Sequence, residues 1–165
     1  MLAVQKKRLT LKAGRIGVIS DTHGLVRQEA LAALKGSELI IHAGDIGKLE
    51  VLASLKSLAP VVAIRGNNDR EAWARQLPDI LSLQVNGLGL YIIHNVHELP
   101  IDPAAAGLHA VICGHSHRPN LIHRDSVCFL NPGSAGPRRF KLPVTLARLC
   151  IERGKVDVKI VELKI

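Results

Sequence analysis

Short β-branched runs recur along this chain, and one after another they end in a polar turn built of glycine with aspartate, asparagine or histidine. Arg15 to Ser20 (RIGVIS) runs into Asp21-Thr22-His23-Gly24. Leu39 to Ala43 closes on Gly44-Asp45, and Val61 to Arg65, opened by Pro60, on Gly66-Asn67-Asn68-Asp69. Between these runs the period changes. Gln28 to Leu34 carries helical spacing with Gly36 as a stop, and Leu49, Leu52, Leu55 and Leu58 form a stripe over Leu49 to Leu58. Strand, helix, strand, helix, strand at this pitch predicts stacked βαβ units and a parallel sheet.

The second half reads differently. Ile80 to Val85 and Leu88 to His94 predict two strands joined across Asn86-Gly87, a dipeptide favoured at tight hairpins. His109 to Cys113 is one more buried strand, ending at Gly114-His115-Ser116-His117. Leu121 to Arg124, Val127 to Leu130, Val144 to Ile151 and Val156 to Leu163 predict antiparallel strands, with Gly154-Lys155 turning the last pair. No linker, repeat or low-complexity block interrupts the pattern, so one α/β domain of two packed sheets is expected over residues 15–165. Residues 1–14 form an N-terminal extension, either an added edge strand or a frayed tail.

Composition excludes several classes. The chain has 165 residues, within the usual span of one domain. Its only aromatic residues are Trp73, Tyr91, Phe129 and Phe140, so the core must be aliphatic, and modules that stack bases on aromatic rings are disfavoured. A formal charge of +8, from 22 Lys+Arg against 14 Asp+Glu, suits a phosphorylated or otherwise anionic partner. No stretch approaches the roughly 20 apolar residues of a membrane helix. The Lys6-Lys7-Arg8 cluster has no apolar run behind it, so no secretory signal is read there. Cys113, Cys128 and Cys150 are odd in number and far apart, which favours reduced thiols and a cytoplasmic setting.

Seven metal-capable side chains fall at successive strand ends: Asp21, His23, Asp45, Asn67, His94, His115 and His117. Ligands of open α/β sheets bind outside the carboxyl ends of the strands. Imidazole mixed with carboxylate suits Mn, Fe, Zn, Ni or Co, whereas an all-oxygen set suits Mg or Ca. Seven ligands exceed the needs of one ion. Two ions about 3.5–4 Å apart use them all if one carboxylate bridges, and a hydroxide shared between them is a strong nucleophile at neutral pH. Phosphate-ester hydrolysis needs both that nucleophile and the charge. His42, His97, His109 and His123 are left as structural histidines.

The set Ser20-Asp21-Thr22-His23-Gly24, His42-Ala43-Gly44-Asp45, Arg65-Gly66-Asn67-Asn68-Asp69, His94, Gly114-His115-Ser116-His117 and Asn131-Pro132-Gly133-Ser134 resembles the calcineurin-like metallophosphoesterase superfamily. Within it, the chain is similar to the small single-domain YfcE-type phosphodiesterases of bacteria and archaea. The resemblance implies an α/β/β/α sandwich of two mixed sheets flanked by helices. It also implies two divalent transition-metal ions, with Mn expected first and Ni, Fe, Zn or Co as alternatives. Asp21, His23 and His117 would hold the first ion and Asn67, His94 and His115 the second, with Asp45 bridging.

Two positions depart from the family pattern. Asn95-Val96-His97 follows His94 where a glycine is usual. Asn68 stands where related phosphatases carry a histidine that protonates the leaving group, which leaves Asn68 and Asp69 as the catalytic candidates and favours phosphodiesters over monoesters. The expected partner is a phosphodiester small molecule or nucleotide-like substrate, without a membrane, in a chain able to form a homo-oligomer. Arg118, Arg138, Arg139, Lys141 and the backbone of Asn131 to Gly136 are candidate anion contacts. Two other readings are a non-catalytic scaffold like the retromer subunit of this fold, and a nuclease or nucleic-acid binder.

Overall fold

The computed structural model describes residues 2–165. Eleven strands and two α-helices follow in the order β1 (Val4–Leu9), β2 (Arg15–Ile19), α1 (Gln28–Leu34), β3 (Leu39–His42), α2 (Leu49–Lys56), β4 (Val61–Ala63), β5 (Ile80–Val85), β6 (Leu88–Ile93), β7 (Ala110–Ile112), β8 (Asn120–Arg124), β9 (Val127–Asn131), β10 (Thr145–Glu152) and β11 (Lys155–Glu162). Short 3-10 turns cover Ala72–Gln76 and Val96–Glu98.

Two mixed sheets result, ordered β11-β10-β2-β3-β4 and β1-β5-β6-β7-β9-β8. The βαβ units give the parallel register of β2, β3 and β4. In the other sheet β6, β7 and β9 run parallel. β9 is therefore antiparallel to β8 alone, not to all its neighbours. Aliphatic side chains fill the space between the sheets: Val18, Ile41, Ile64, Leu83, Leu90, Ile112 and Leu149 are all buried there. The helices cover the far face of the five-stranded sheet, where Leu34, Ile40, Leu55 and Leu146 meet.

Several local expectations shift on folding. Leu49 is half exposed as the first residue of α2, and the buried stripe is Val51, Leu52 and Leu55. The last hairpin turns at Arg153-Gly154, both at positive φ, one residue earlier than expected. Asn86-Gly87 turns the β5–β6 hairpin at φ 50° and 81°, as its sequence requires. On the outer face of the six-stranded sheet, no α-helix is found among the described residues. The 96–98 turn and its loops pack Val96, Leu99 and Leu108 against Tyr91, Ile93 and Val111 instead.

The extension is part of the domain. β1 pairs in parallel with β5 over six residues, forming the edge of the six-stranded sheet. The link to β2 is pinned where the Glu38 carboxylate accepts the backbone N–H groups of Lys12, Ala13 and Arg15. Cys113, Cys128 and Cys150 are free thiols, the first two buried. No helix among the described residues is long and apolar enough to cross a membrane.

Candidate metal centre

The carboxyl ends of β2, β3 and β4 in one sheet face those of β6 and β7 in the other, which brings the polar turns to one rim. Asp21 and His23 follow β2, Asp45 follows β3, Asn67 follows β4, His94 follows β6, and His115 and His117 follow β7. Two groups of donor atoms converge there: Asp21 with His23 and His117, and Asp21 with Asp45 and His94.

Backbone strain accompanies the convergence. Asp21, His23, Asp45, His115 and His117 all lie at positive φ, between 45° and 71°. They make up half of the ten non-glycine residues in that region among the described residues. Such conformations cost free energy and persist where surrounding structure imposes them, so they cluster at functional sites. Asp, Asn and His tolerate the region better than most residues, which fits the composition of these turns.

Hydrogen bonds hold the donors with their free atoms facing one another. Asp21 Oδ2 accepts from the Ser20 hydroxyl at 2.8 Å and from the His115 backbone N–H at 3.0 Å. Its other oxygen, Oδ1, has no hydrogen-bond partner although the residue is fully buried. His94 donates Nδ1–H to the Ala43 carbonyl at 2.7 Å, leaving Nε2 buried and unpartnered. A ligand imidazole is oriented in this way when its other nitrogen donates to a carbonyl. The His117 ring is also buried, with Nδ1 unpartnered and Nε2 turned toward Asp21 and His23.

Spacing points the same way. His117 Nε2 lies 3.4 Å from Asp21 Oδ1 and 3.3 Å from His23 Nε2, and His94 Nε2 lies 3.4 Å from Asp45 Oδ2. Ligands about 2.1 Å from a shared tetrahedral ion sit about 3.4 Å apart. Asp21 is common to both groups, and Asp45 Oδ2, in the second, also lies 3.8 Å from His23 Nε2 in the first and 3.4 Å from His94 Nε2. Asn67 and His115 form an exposed lip beside them: Asn67 Oδ1 is 3.1 Å from His115 Nδ1, whose ring meets that of His94 edge-on at 5.3 Å. The buried donor set therefore fits transition-metal ions.

Charge within the cluster is matched. Burial pushes the Asp45 carboxyl up, but His94 and the Asn68 donors outweigh it and hold the group well below the usual carboxylate range. Burial also opposes ionisation of Asp21, and His117 and His94 reverse that. For His94, burial lowers the pKa while Asp45 and Asp21 raise it, with a net rise. His23 is lowered, chiefly by burial, with Arg139 among the minor causes.

Both catalytic candidates, Asn68 and Asp69, make hydrogen bonds within the rim. Asn68 gives its backbone N–H to Asp45 Oδ1 and its amide N–H to Asp45 Oδ2, each at 2.9 Å, so it positions that carboxylate. Asp69 is buried and accepts the backbone N–H groups of Gly66, Ile46 and Gly47, which fastens the Asp45 turn to the Asn67 turn. The anion cradle read in Asn131 to Gly136 is corrected too. The N–H groups of Gly133, Ala135 and Gly136 have internal acceptors, while Asn131 holds the Gly114 carbonyl and Ser134 the Asp21 carbonyl.

Three glycines let the turns interlock. A Cβ on Gly66 would strike the Asp45 backbone and carboxylate, one on Gly114 would strike Ser20 and Asp21, and one on Gly44 would strike His94. Ser20, Thr22, Asn131 and Ser134 carried no individual role in the sequence reading; only their membership of the motifs pointed to them.

His42 is a structural histidine. It is fully buried, accepts the Gly44 N–H on Nδ1 and bonds the Thr22 hydroxyl through Nε2, and that hydroxyl donates to the Ile46 carbonyl. Burial drives its pKa from 6.5 down to about 4. The folded state thus holds His42 neutral while the unfolded chain protonates it below pH 6.5. Its contribution is complete above 6.5 and lost as pH falls toward 4, in total about 3 kcal/mol. Urea unfolding of wild type and His42→Gln from pH 7 to pH 4.5 checks this. The wild type loses stability more steeply; parallel profiles contradict the assignment.

Comparison with known proteins identifies the family. Residues 15–154 match the calcineurin-like phosphoesterase superfamily domain. The chain belongs to that superfamily. A probable metallophosphoesterase of Methanothermobacter thermautotrophicus is 30% identical over 158 residues, covering 88% of this chain and 91% of the relative. Another, from Methanocaldococcus jannaschii, is 33% identical over 162 residues, covering 90% and 81%. Among solved structures, a novel archaeal phosphodiesterase is 26% identical with a TM-score of 0.74, covering 89% of this chain and 99% of that one. Vps29 of Chaetomium thermophilum has the same TM-score at 18% identity, covering 92% and 97%, which speaks for a shared fold alone. As a calcineurin-like phosphoesterase the chain is a metal-dependent hydrolase of phosphate esters.

Proposed function

We propose that this calcineurin-like phosphoesterase is a phosphodiesterase that works with two divalent transition-metal ions, Mn foremost. The observation that carries the reading is the convergence of buried ligand atoms: Asp21 Oδ1 and His94 Nε2, which have no hydrogen-bond partner, with His117 Nε2 3.4 Å from Asp21 Oδ1. Asp21, His23 and His117 would hold one ion; Asn67, His94 and His115 would hold the other; Asp45, whose Oδ2 lies within 3.8 Å of both His23 and His94, would serve both. Such ions, when bound, activate water toward phosphorus and offset the charge that builds there.

The chain's own residues supply the positioning. Asn68 and His94 keep Asp45 ionised and aimed. Asp69 and the three close-packed glycines fix the spacing of the turns. Arg139, near enough to His23 to disfavour its protonation, brings positive charge to the rim for an anionic substrate. Because Asn68 binds Asp45 and cannot release a proton near neutral pH, the reaction depends on a good leaving group. A diester also presents one negative charge fewer than a monoester dianion.

Removing metal tests the reading. A chelator should abolish hydrolysis of bis(p-nitrophenyl) phosphate, and added Mn should restore it. The melting temperature should drop with the metal, since a ligand at a hundredfold excess over Kd contributes about 2.7 kcal/mol to the folded state alone. Hydrolysis that persists in verified metal-free protein, or a melting curve indifferent to the metal, contradicts it.

A further inference from the structure

Beside His115 a cavity of about 940 Å³ runs away from the metal centre along the outer face of the six-stranded sheet. We propose that this groove binds the alcohol part of the substrate, and that the part it takes is an uncharged, largely apolar or planar group up to nucleoside size. The inference rests on the phosphodiesterase reading and names the substrate class for it.

Position comes first. Gly114, His115 and Ser116 form the head of the groove, so the space opens directly from a candidate metal ligand. A phosphodiester seated at the centre carries two organic groups, and one of them can extend into this space. The volume is in the range of small-molecule sites, about 300–1,000 Å³.

The floor consists of cross-strand pairs of β8 and β9, Ile122 with Phe129 and Arg124 with Val127. Residues 95–97, 99 and 102–104 line the other side. A three-residue 3-10 turn borders the space, its His97 N–H donating to the Asn95 side chain. Ile122, 40% exposed, is among the few large apolar side chains left open to solvent, and it lies in this floor. An exposed apolar residue inside a cleft marks a contact surface more often than a scattered surface one.

Charge decides what kind of group fits. The chain carries +8 overall, yet the groove's formal charges cancel: Arg118 and Arg124 against Asp102 and Asp125. The Arg124 guanidinium lies 5.4 Å from the centre of the Phe129 ring, engaged with its face. A track for a polyanion would show the opposite balance, with unpaired cations along its length. A neutral lining with an aliphatic and aromatic floor, together with Asn95, His97 and Asn120 as polar rim groups, suits an uncharged ring system. An oligonucleotide strand is disfavoured.

Calorimetric titration of the Mn-loaded protein with diphenyl phosphate and dimethyl phosphate separates the possibilities, because the probes share one phosphate charge and differ only in their organic groups. Diphenyl phosphate should bind at least about tenfold tighter, the gain expected from burying one phenyl ring. Ile122→Glu should reduce that ratio below about threefold and Ile122→Leu should preserve it. Ile122 is exposed on an edge strand, so the variants should fold, with melting curves as the check; Phe129→Leu offers an independent second perturbation. Equal affinity for the two probes, or a ratio untouched in a folded Ile122→Glu protein, overturns the proposal. The phosphodiesterase reading is judged separately by turnover of bis(p-nitrophenyl) phosphate: a protein that shows the binding ratio without turnover keeps the groove and loses the reaction.

Discussion

Asp45→Asn should reduce phosphodiester hydrolysis to background and lower bound metal more than the loss of any single outer ligand. The substitution keeps the shape of the side chain and removes its charge. Asp45 is the buried carboxylate whose Oδ2 lies within 3.8 Å of both His23 and His94, one from each donor group. Neutralising it weakens both groups at once, whereas His117→Ala removes a donor from one. The surrounding structure exists to present that charge: Asn68 donates to both its oxygens, and a Cβ on Gly66 would collide with it. Metal analysis after loading with excess Mn, read beside the activity, checks the ranking. Asp45→Asn protein that retains near wild-type turnover, or more metal than His117→Ala, contradicts the bridging placement.

A preference for diesters over monoesters is the second large effect. A positioned general acid contributes about 10²–10⁴-fold. In this chain Asn68 gives its backbone N–H and one amide N–H to Asp45, and the Asp69 oxygens accept three backbone N–H groups. Neither is arranged to hand a proton to a leaving oxygen. Bis(p-nitrophenyl) phosphate, with its good leaving group, should therefore be hydrolysed at least tens of times faster than p-nitrophenyl phosphate across several metals. Asn68→His would not add monoesterase activity cleanly, since it also removes the amide hydrogen bond to Asp45 Oδ2. Faster turnover of the monoester by wild type would mean that another group gives the proton, and His97, exposed on the rim of the groove, is then the residue to replace.

The sequence carried much of this architecture because hydrophobic period and turn chemistry act locally. The Asn86-Gly87 hairpin, the βαβ units and the polar strand ends each follow from a few neighbouring residues. What it carried less well depends on contacts between distant segments. The strained turns are one case: Asp21, His23, Asp45, His115 and His117 take positive φ because turns from both sheets lock together through Gly44, Gly66 and Gly114. Asp69 is another. A carboxylate in a Gly-Asn-Asn-Asp turn reads equally as catalytic or structural until its partners, the N–H groups of residues 46, 47 and 66, are known. Asn131 and Ser134 look like an anion loop in sequence and turn out to brace the histidine and aspartate turns. Val51 displaces Leu49 from the buried face of α2 because the sheet, not the local pattern, sets the helix phase. The groove was invisible for the same reason: it is space between β8, β9 and the loops after β6, and no residue encodes it alone.

One titration tests the central claim most directly. Metal is stripped from the purified chain, Mn is added back in known equivalents, and hydrolysis of bis(p-nitrophenyl) phosphate is followed together with the metal bound per chain. Activity should be absent at the start, rise with the metal and level off at about two ions per chain. A plateau at one ion contradicts the binuclear centre, and hydrolysis without metal, or none at any loading, contradicts the assignment of these strand ends as the seat of the reaction.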